Sequence, residues 1–133
     1  MPSSANTLRH GLVIDDAPEL RLLVEAYLRA LGLTVTALAS GQHALETARR
    51  ERPALIVLDI MLPNVCGLDL CEQIRRDPEL AETPVILMSA RISPRDRANA
   101  ELAGASLFLP KPIQPAELAE CVARLLMIEA VWA

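Results

Sequence analysis

The sequence predicts a doubly wound α/β domain with a mainly parallel sheet of five strands and with five helices. Two observations support this prediction. Short apolar runs alternate with longer segments of helical spacing, and the most apolar runs are followed by polar or charged residues. The predicted strands are residues 12–14, 33–38, 54–58, 85–88 and 107–109, and the predicted helices are residues 18–31, 42–51, 68–76, 94–103 and 116–128.

The composition of the strands predicts their order in the sheet. Residues 12–14, 54–58 and 85–88 are continuously apolar, which is typical of strands buried on both faces. Residues 33–38 alternate between apolar and polar, and residues 107–109 lead into Pro110, which is tolerated chiefly on an edge strand. The second and fifth strands are therefore expected at the edges, in the order 2-1-3-4-5. Strands one and three then meet at the topological switch point, where ligands bind.

Local signals support the predicted element ends. Gly32 follows the first helix where a C-terminal glycine is expected. Ser93, Pro94 and Asp96 offer an N-cap, a proline at the first helical position and an acid in the first turn. Pro84 stands where it can open the fourth strand.

The composition indicates one domain and argues against several classes of partner. Of 133 residues, 52% are hydrophobic and only 2% aromatic, so aliphatic side chains must form the core. A net charge of −4 argues against direct binding of nucleic acid. We expect a domain over residues 10–128, between an N-terminal tail of residues 1–9 and a C-terminal tail of residues 129–133.

The sequence also predicts a cytoplasmic location. The N-terminus lacks the pattern of a signal peptide, and no window is apolar for long enough to span a bilayer. Three cysteines, Cys66, Cys71 and Cys121, form neither a metal-ligand spacing nor a disulfide framework, which fits a reducing compartment.

Acidic residues end two of the predicted central strands. Asp15 and Asp16 follow the first strand, and Asp59 follows the third. In the predicted sheet order these three carboxylates converge on one crevice. Several carboxylates so close together require a counter-charge, and Mg²⁺ suits a site made of oxygen ligands.

Two further polar residues end later strands on the same edge of the sheet. Ser89 follows the fourth strand, and Lys111 comes directly after Pro110. A hydroxyl donor and an ammonium group beside a metal-bound acid can hold a phosphoryl group. The sequence thus predicts a site for phosphoryl chemistry at the carboxyl ends of the strands.

Taken together, these motifs resemble the receiver domain of two-component response regulators, in its single-domain, chemotaxis-regulator-like form. The matching segments are residues 13–16, residues 59–63 with Gly67, and residues 88–90, 103–105 and 108–112, in the order that the family has them. The resemblance covers residues 10–128 and implies a flavodoxin-like fold. It also implies a signalling protein that catalyses only its own phosphorylation and dephosphorylation.

The resemblance assigns a role to each acidic residue of the site. It implies that Asp59 is the phosphoacceptor, taking a phosphoryl group from the phosphohistidine of a sensor histidine kinase or a histidine phosphotransfer protein. Asp16 and Asp59 would bind Mg²⁺ directly with the backbone carbonyl of Met61, and Asp15 would assist through water. Lys111 would pair with a phosphoryl oxygen.

The resemblance also implies a conformational switch. The hydroxyl of Ser89 would move to bind the phosphoryl group, and the ring of Phe108 would turn inward as it does so; a plain core role is the alternative for Phe108. The output would be a contact with a downstream protein through the face formed by the fourth helix, the fifth strand and the fifth helix. A cis peptide bond between Lys111 and Pro112 is also implied.

Two positions that vary among family members flank the mouth of the predicted site. Met61 is two residues after Asp59, and Arg91 is two residues after Ser89. Met61 cannot orient a water molecule and Arg91 is bulky, so slow autodephosphorylation is the expectation.

Three alternatives remain open from the sequence. The chain can be a receiver from a larger regulator or hybrid kinase, or a phosphorelay intermediate that returns phosphate to another histidine. An enzyme is the third alternative, a small Mg²⁺-dependent phosphatase with an aspartyl nucleophile. That chemistry favours a second acid two residues after the nucleophile, where this chain has Met61.

Overall fold

The structure is a computed structural model that describes residues 9–91 and 93–126. Most of the two predicted tails, the predicted end of the last helix at Ile128, and Trp132 lie outside the described residues. Each predicted strand and helix is present close to its predicted position. The strands are β1 His10–Ile14, β2 Thr34–Leu38, β3 Leu55–Asp59, β4 Val85–Ser89 and β5 Leu107–Pro110. The helices are α1 Pro18–Ala30, α2 Ala44–Glu51, α3 Gly67–Arg76, α4 Pro94–Leu102 and α5 Pro115–Leu126.

The five strands form one parallel sheet in the order β2-β1-β3-β4-β5, which confirms the predicted order. Each strand is followed by a helix, as parallel pairing requires. All five strands therefore end at the same edge of the sheet. Five of the predicted site residues lie at this end of the sheet: Asp15, Asp16, Asp59, Ser89 and Lys111.

The burial of the strands follows their composition. Every residue of β3 and β4 is buried, whereas β2 is buried only at Val35. Pro110 ends β5, which is an edge strand, so its missing N–H leaves no gap inside the sheet.

Two of the predicted helix ends are confirmed, one by a capping hydrogen bond and the other by its backbone conformation. The hydroxyl of Ser93 accepts from the backbone N–H of Asp96 at 3.0 Å, so it caps α4 just before Pro94. Gly32 has a φ of +95° after α1, a conformation that favours glycine.

Aliphatic side chains fill both faces of the sheet. Helices α1 and α5 cover one face, with side chains such as Val24, Leu28 and Val122. Helices α2, α3 and α4 cover the other, with side chains such as Leu70 and Ile74. Helix α4 buries only Ala100 and is thus the least anchored of the described helices. Every helix in the described part of the chain falls short of the length and apolar character that membrane crossing needs.

Candidate functional site

The three acids that the sequence predicted together do meet in the structure. Asp59 is the last residue of β3, and Asp15 and Asp16 come directly after β1, the strand beside it. One carboxylate oxygen from each of the three lies within 4.8 Å of the others. Asp15 and Asp59 are buried, at 0% and 3% exposure, whereas Asp16 is exposed.

Lys111 supplies the positive charge of this cluster. It follows β5, and its Nζ donates a hydrogen bond to Asp59 Oδ2 at 3.0 Å. The same Nζ lies 3.2 Å from Asp15 Oδ2, without hydrogen-bond geometry. One ammonium group therefore faces two buried carboxylates.

The environment changes the pKa of both partners of this ion pair. Burial raises the pKa of the Asp59 carboxyl above its ordinary value, and the hydrogen bonds from Lys111 and from the N–H of Met61 only partly oppose this. Burial alone would lower the pKa of Lys111, but the hydrogen bond and charge of Asp59 and the charge of Asp15 outweigh it and raise that pKa. Lys111 is therefore charged at neutral pH.

The acidic cluster fits a magnesium ion. Asp15 Oδ2 is buried and has no hydrogen-bond donor among the described residues. The carboxylate of Asp16, exposed to solvent, also accepts no hydrogen bond from any described residue. Carboxylates with free oxygens, one of them open to water, are the donors that Mg²⁺ takes in proteins. Three carboxylates against one ammonium group leave negative charge that a divalent cation would offset.

The structure places Ser89 beside the lysine. Ser89 ends β4 and is 2% exposed, and its carbonyl accepts from the N–H of Lys111 at 2.8 Å. Its hydroxyl accepts from the N–H of Arg91 at 3.1 Å. The hydroxyl thus has a local donor in this structure, and its own proton remains available to an acceptor.

Met61 and Arg91 lie on the same groove. This open groove, of about 380 Å³, runs between the loop after β3 and helix α4, and Leu62, Val65 and Asn99 are among its other lining residues. The side chain of Met61 is 56% exposed, and that of Arg91 is also exposed. These two side chains therefore share a groove beside the loop that follows Asp59.

Phe108 lies on β5 beneath a basic side chain of α4. Its ring is partly buried, and the guanidinium of Arg97 lies 5.4 Å from the ring centroid, within reach of a cation–π contact. Ala100 and Ala105 line a cavity of about 230 Å³ with this pair. The cis bond between Lys111 and Pro112 is present.

Gly67 closes the loop that follows β3, as its motif predicted. Its N–H donates to the carbonyl of Ile60 at 2.9 Å. A Cβ at this position would lie 2.2 Å from the backbone oxygen of Asp59 and 2.6 Å from Cα of Ile60. Only glycine permits this close approach of helix α3 to the end of β3.

Sequence reasoning missed one side chain of this region. Nη1 of Arg21, in helix α1, donates to the backbone carbonyl of Asp15 at 2.9 Å. The available signal was a basic residue six positions after Asp15 on the helix that leaves the acid pair. That signal is weak, because it does not tell which way the side chain turns.

The comparisons with known proteins agree with this geometry. A sequence model of the response regulator receiver domain matches residues 12–123. The chain therefore belongs to the response regulator receiver domain family, whose members are signalling modules that work with histidine kinases and downstream effectors.

Curated relatives are longer proteins. The chain is 45% identical over 107 residues to the transcriptional activator protein PfeR of Pseudomonas aeruginosa, an alignment that covers 80% of this chain and 34% of PfeR. It is 36% identical over 118 residues to the transcriptional regulatory protein BaeR of Escherichia coli, covering 89% of this chain and 48% of BaeR. The chain thus spans between a third and a half of the length of these relatives.

A solved structure of the family contains a metal ion. The receiver domain of the sensor histidine kinase PA1611 from Pseudomonas aeruginosa has magnesium coordinated in its active site cleft. It superposes with a TM-score of 0.84 at 32% identity, covering 91% of this chain and 99% of that chain.

Proposed function

We propose that Asp59 is a phosphoacceptor that takes a phosphoryl group from a phosphohistidine and so switches a protein-binding face. The observation that supports this most directly is the cluster of Asp59, Lys111, Asp15 and Asp16, which combines a buried carboxylate, a hydrogen-bonded ammonium group and two further acids. The reaction forms a bond between a carboxylate oxygen of Asp59 and phosphorus. The P–N bond breaks, and its electron pair returns to the imidazole of the donor, which takes up a proton.

The residues of the chain have separate tasks in this transfer. Lys111 offsets the charge of Asp59 before the transfer and pairs with a phosphoryl oxygen after it. The hydroxyl of Ser89 would move to donate its proton to another phosphoryl oxygen. Asp16, Asp59 and the Met61 carbonyl would hold Mg²⁺, with Asp15 acting through water, and the ion would supply positive charge against the phosphoryl oxygens.

The proposed output is a change in the face formed by α4, β5 and α5. Helix α4 buries only Ala100, so it can shift at little cost. Movement of Ser89 toward a phosphoryl group would open space beside β5, into which the ring of Phe108 turns. Phosphorylation would then bias this face toward a conformation that a partner protein binds.

Phosphorylation of the intact chain tests this proposal. The native protein, incubated with Mg²⁺ and acetyl phosphate, should gain the mass of one phosphoryl group in intact-mass spectrometry. Asp59→Ala should gain none, whereas Asp69→Ala, which removes an exposed acid from α3, should gain one. An adduct on Asp59→Ala, or no adduct on the native chain, would refute the assignment.

The residues of the groove beside the loop after β3 suggest a long-lived aspartyl phosphate. Exposed Met61 offers no hydrogen bond to a hydrolytic water, and Arg91 occupies the same groove. Met61→Asn introduces an amide that can orient water, so it should lose phosphate several-fold faster, as a water-orienting group acts in hydrolysis. The decay of the phosphorylated species, followed by intact mass after removal of acetyl phosphate, measures this rate. Equal decay rates in the native chain and in Met61→Asn would refute the prediction.

A role as the receiver of a longer regulator or hybrid kinase is the second candidate. It is favoured by the coverage of PfeR and BaeR, whose names describe transcriptional regulators, and by the kinase receiver that shares this fold. A role as a phosphorelay intermediate differs from that of an output regulator, because the phosphoryl group must pass from Asp59 to another histidine. Transfer from the phosphorylated chain to candidate phosphotransfer proteins tests it. The phosphatase alternative has no supporting observation, since Met61 stands where that chemistry favours an acid.

A further inference from the structure

We propose that Arg21 is a positioning residue for the acid pair: it fixes the peptide that joins Asp15 to Asp16 and so aims the Asp16 carboxylate at the metal position. This inference rests on the proposed function, because it assumes that the acidic cluster binds Mg²⁺. It adds a residue of helix α1 that contacts neither the metal position nor the phosphoacceptor.

The argument begins with one hydrogen bond. Helix α1 begins at Pro18, and the side chain of Arg21 reaches back over its first turn. Its Nη1 donates to the carbonyl oxygen of Asp15 at 2.9 Å. That oxygen belongs to the peptide unit that continues into Asp16. Because a peptide unit is planar, a hydrogen bond that fixes its oxygen also restrains the position of the following Cα, which is that of Asp16.

Two other contacts hold this turn, one on each side of the acid pair. The N–H of Asp15 donates to the carbonyl of Leu38 at 3.1 Å, and its Oδ1 accepts from the N–H of Ala17 at 2.9 Å. Among the described residues, nothing donates to the carboxylate of Asp16, which is exposed. Of the two peptide units that flank Asp16, the unit after it is held by the carboxylate of Asp15, and the unit before it is held by Arg21.

The charge of Arg21 allows a decisive test, because its charge and its positioning role have opposite effects on the affinity for Mg²⁺. A guanidinium near three carboxylates repels an incoming cation, so its removal would raise the affinity for Mg²⁺ if charge alone mattered. If Arg21 orients Asp16, its removal lowers that affinity. Loss of a group that orients a metal ligand typically weakens binding about 10- to 100-fold. We expect the lower end, since Asp16 is exposed and retains other conformations.

The experiment is a titration of the intact chain with MgCl₂, followed by the amide shifts in NMR spectra. Arg21→Met keeps much of the apolar stem but removes both donor and charge, and should bind Mg²⁺ about tenfold more weakly. Arg21→Lys keeps the charge and one donor and should recover part of the affinity. Arg29→Met is the matched control: it removes a cation from the far end of α1, where Arg29 contacts Glu25 and the carbonyl of Val35. Its affinity should equal that of the native chain.

Phosphorylation rates separate positioning from general damage. With acetyl phosphate, Arg21→Met should react slowly when Mg²⁺ is limiting and approach the native rate when Mg²⁺ is saturating. A rate lowered equally at both concentrations overturns the inference. So does Mg²⁺ affinity in Arg21→Met that equals or exceeds the native value. If Arg21→Met does not fold, Arg21→Gln replaces it with the same expected loss, because its shorter amide cannot extend as far.

These outcomes also separate the inference from the function on which it rests. A native chain that neither binds Mg²⁺ nor accepts phosphate rejects the proposed function. A native chain that does both, beside an Arg21→Met variant with unchanged affinity, rejects only the role of Arg21.

Discussion

The burial of the ionised Asp59 carboxylate lowers the stability of the folded protein. Burial raises the pKa of its carboxyl, so the folded chain binds a proton at this position more tightly than the unfolded chain does. The associated stabilisation is complete below the unfolded value near 3.8 and is lost as the pH rises through the higher folded value. At neutral pH the ionised carboxylate therefore lowers the free energy of unfolding, as functional groups often do.

Asp59→Asn should consequently stabilise the metal-free protein. We expect the free energy of unfolding at neutral pH to rise by on the order of 1 kcal/mol, since the amide is uncharged and Lys111 keeps Asp15 as a partner. The gain should shrink as the pH falls and Asp59 of the native chain becomes protonated. Urea unfolding of both proteins, from neutral pH to acid pH, measures the difference. Asp69→Asn, at an exposed position, should show little change, and a native chain more stable than Asp59→Asn at neutral pH would contradict the argument.

The start of helix α3 shows how one element positions another. Gly67 brings the helix so close to the end of β3 that a Cβ would overlap backbone atoms of Asp59 and Ile60. Backbone atoms cannot turn aside as the end of a side chain can. The position of the end of β3 is therefore coupled to the absence of a side chain at Gly67, eight residues after Asp59.

Gly67→Ala should destabilise the fold and disturb the site together. We expect a loss of about 2 kcal/mol, the usual range for overpacking, and slower phosphorylation by acetyl phosphate. Gly11→Ala is the matched control, because the atoms nearest to its Cβ would be side-chain carbons of Leu33 and Leu28, at 3.2 and 3.3 Å, and the nearest backbone atom, the oxygen of Thr34, would be in ordinary contact at 3.9 Å. Urea unfolding should show the smaller loss for Gly11→Ala; losses of equal size would show that the contact with the Asp59 backbone is not decisive.

Short sequence patterns were enough to predict most of the helices and strands and most of the candidate site. Continuous apolar runs marked β3 and β4, and Pro110 marked an edge strand. Parallel pairing then carried Asp15, Asp59 and Lys111 to one edge. Contacts that depend on how far and in which direction a side chain reaches were not predictable. Arg21 turning back to the Asp15 carbonyl is one such contact, and the guanidinium of Arg97 over Phe108 is another.

The edge of the molecule opposite the site contains a polar network that sets its behaviour in acid. Glu51, at the end of α2, accepts from the hydroxyl of Thr36 at 2.6 Å, and its Oε1 lies 2.8 Å from Nε2 of His10. The hydrogen bond from Thr36, with smaller contributions from His10 and Arg50, lowers the pKa of Glu51 below its ordinary value of 4.5. The network joins β1, β2 and α2.

The lowered pKa predicts how stability changes with pH. Glu51 contributes stability above its unfolded pKa and loses this contribution as the pH falls through the lower folded value. Glu51→Gln should therefore be less stable than the native chain at neutral pH, by roughly 0.5 kcal/mol for a partly exposed group, with the gap closing in acid. Thermal unfolding at several pH values measures this. Glu82→Gln, in an exposed loop, is the control, and a gap that widened in acid would contradict the assignment.

The ion pair between Lys111 and Asp59 has a consequence for the folding of the chain. Its partners are 52 residues apart: Lys111 directly follows β5, at one edge of the sheet, and Asp59 ends β3, at the centre. Such a contact forms only after a long chain segment has closed and the edge strand has docked. A partly assembled sheet would display the acids without the ammonium group. On the proposed function, such a copy lacks the ammonium group that pairs with a phosphoryl oxygen, so phosphate uptake favours copies that have completed folding.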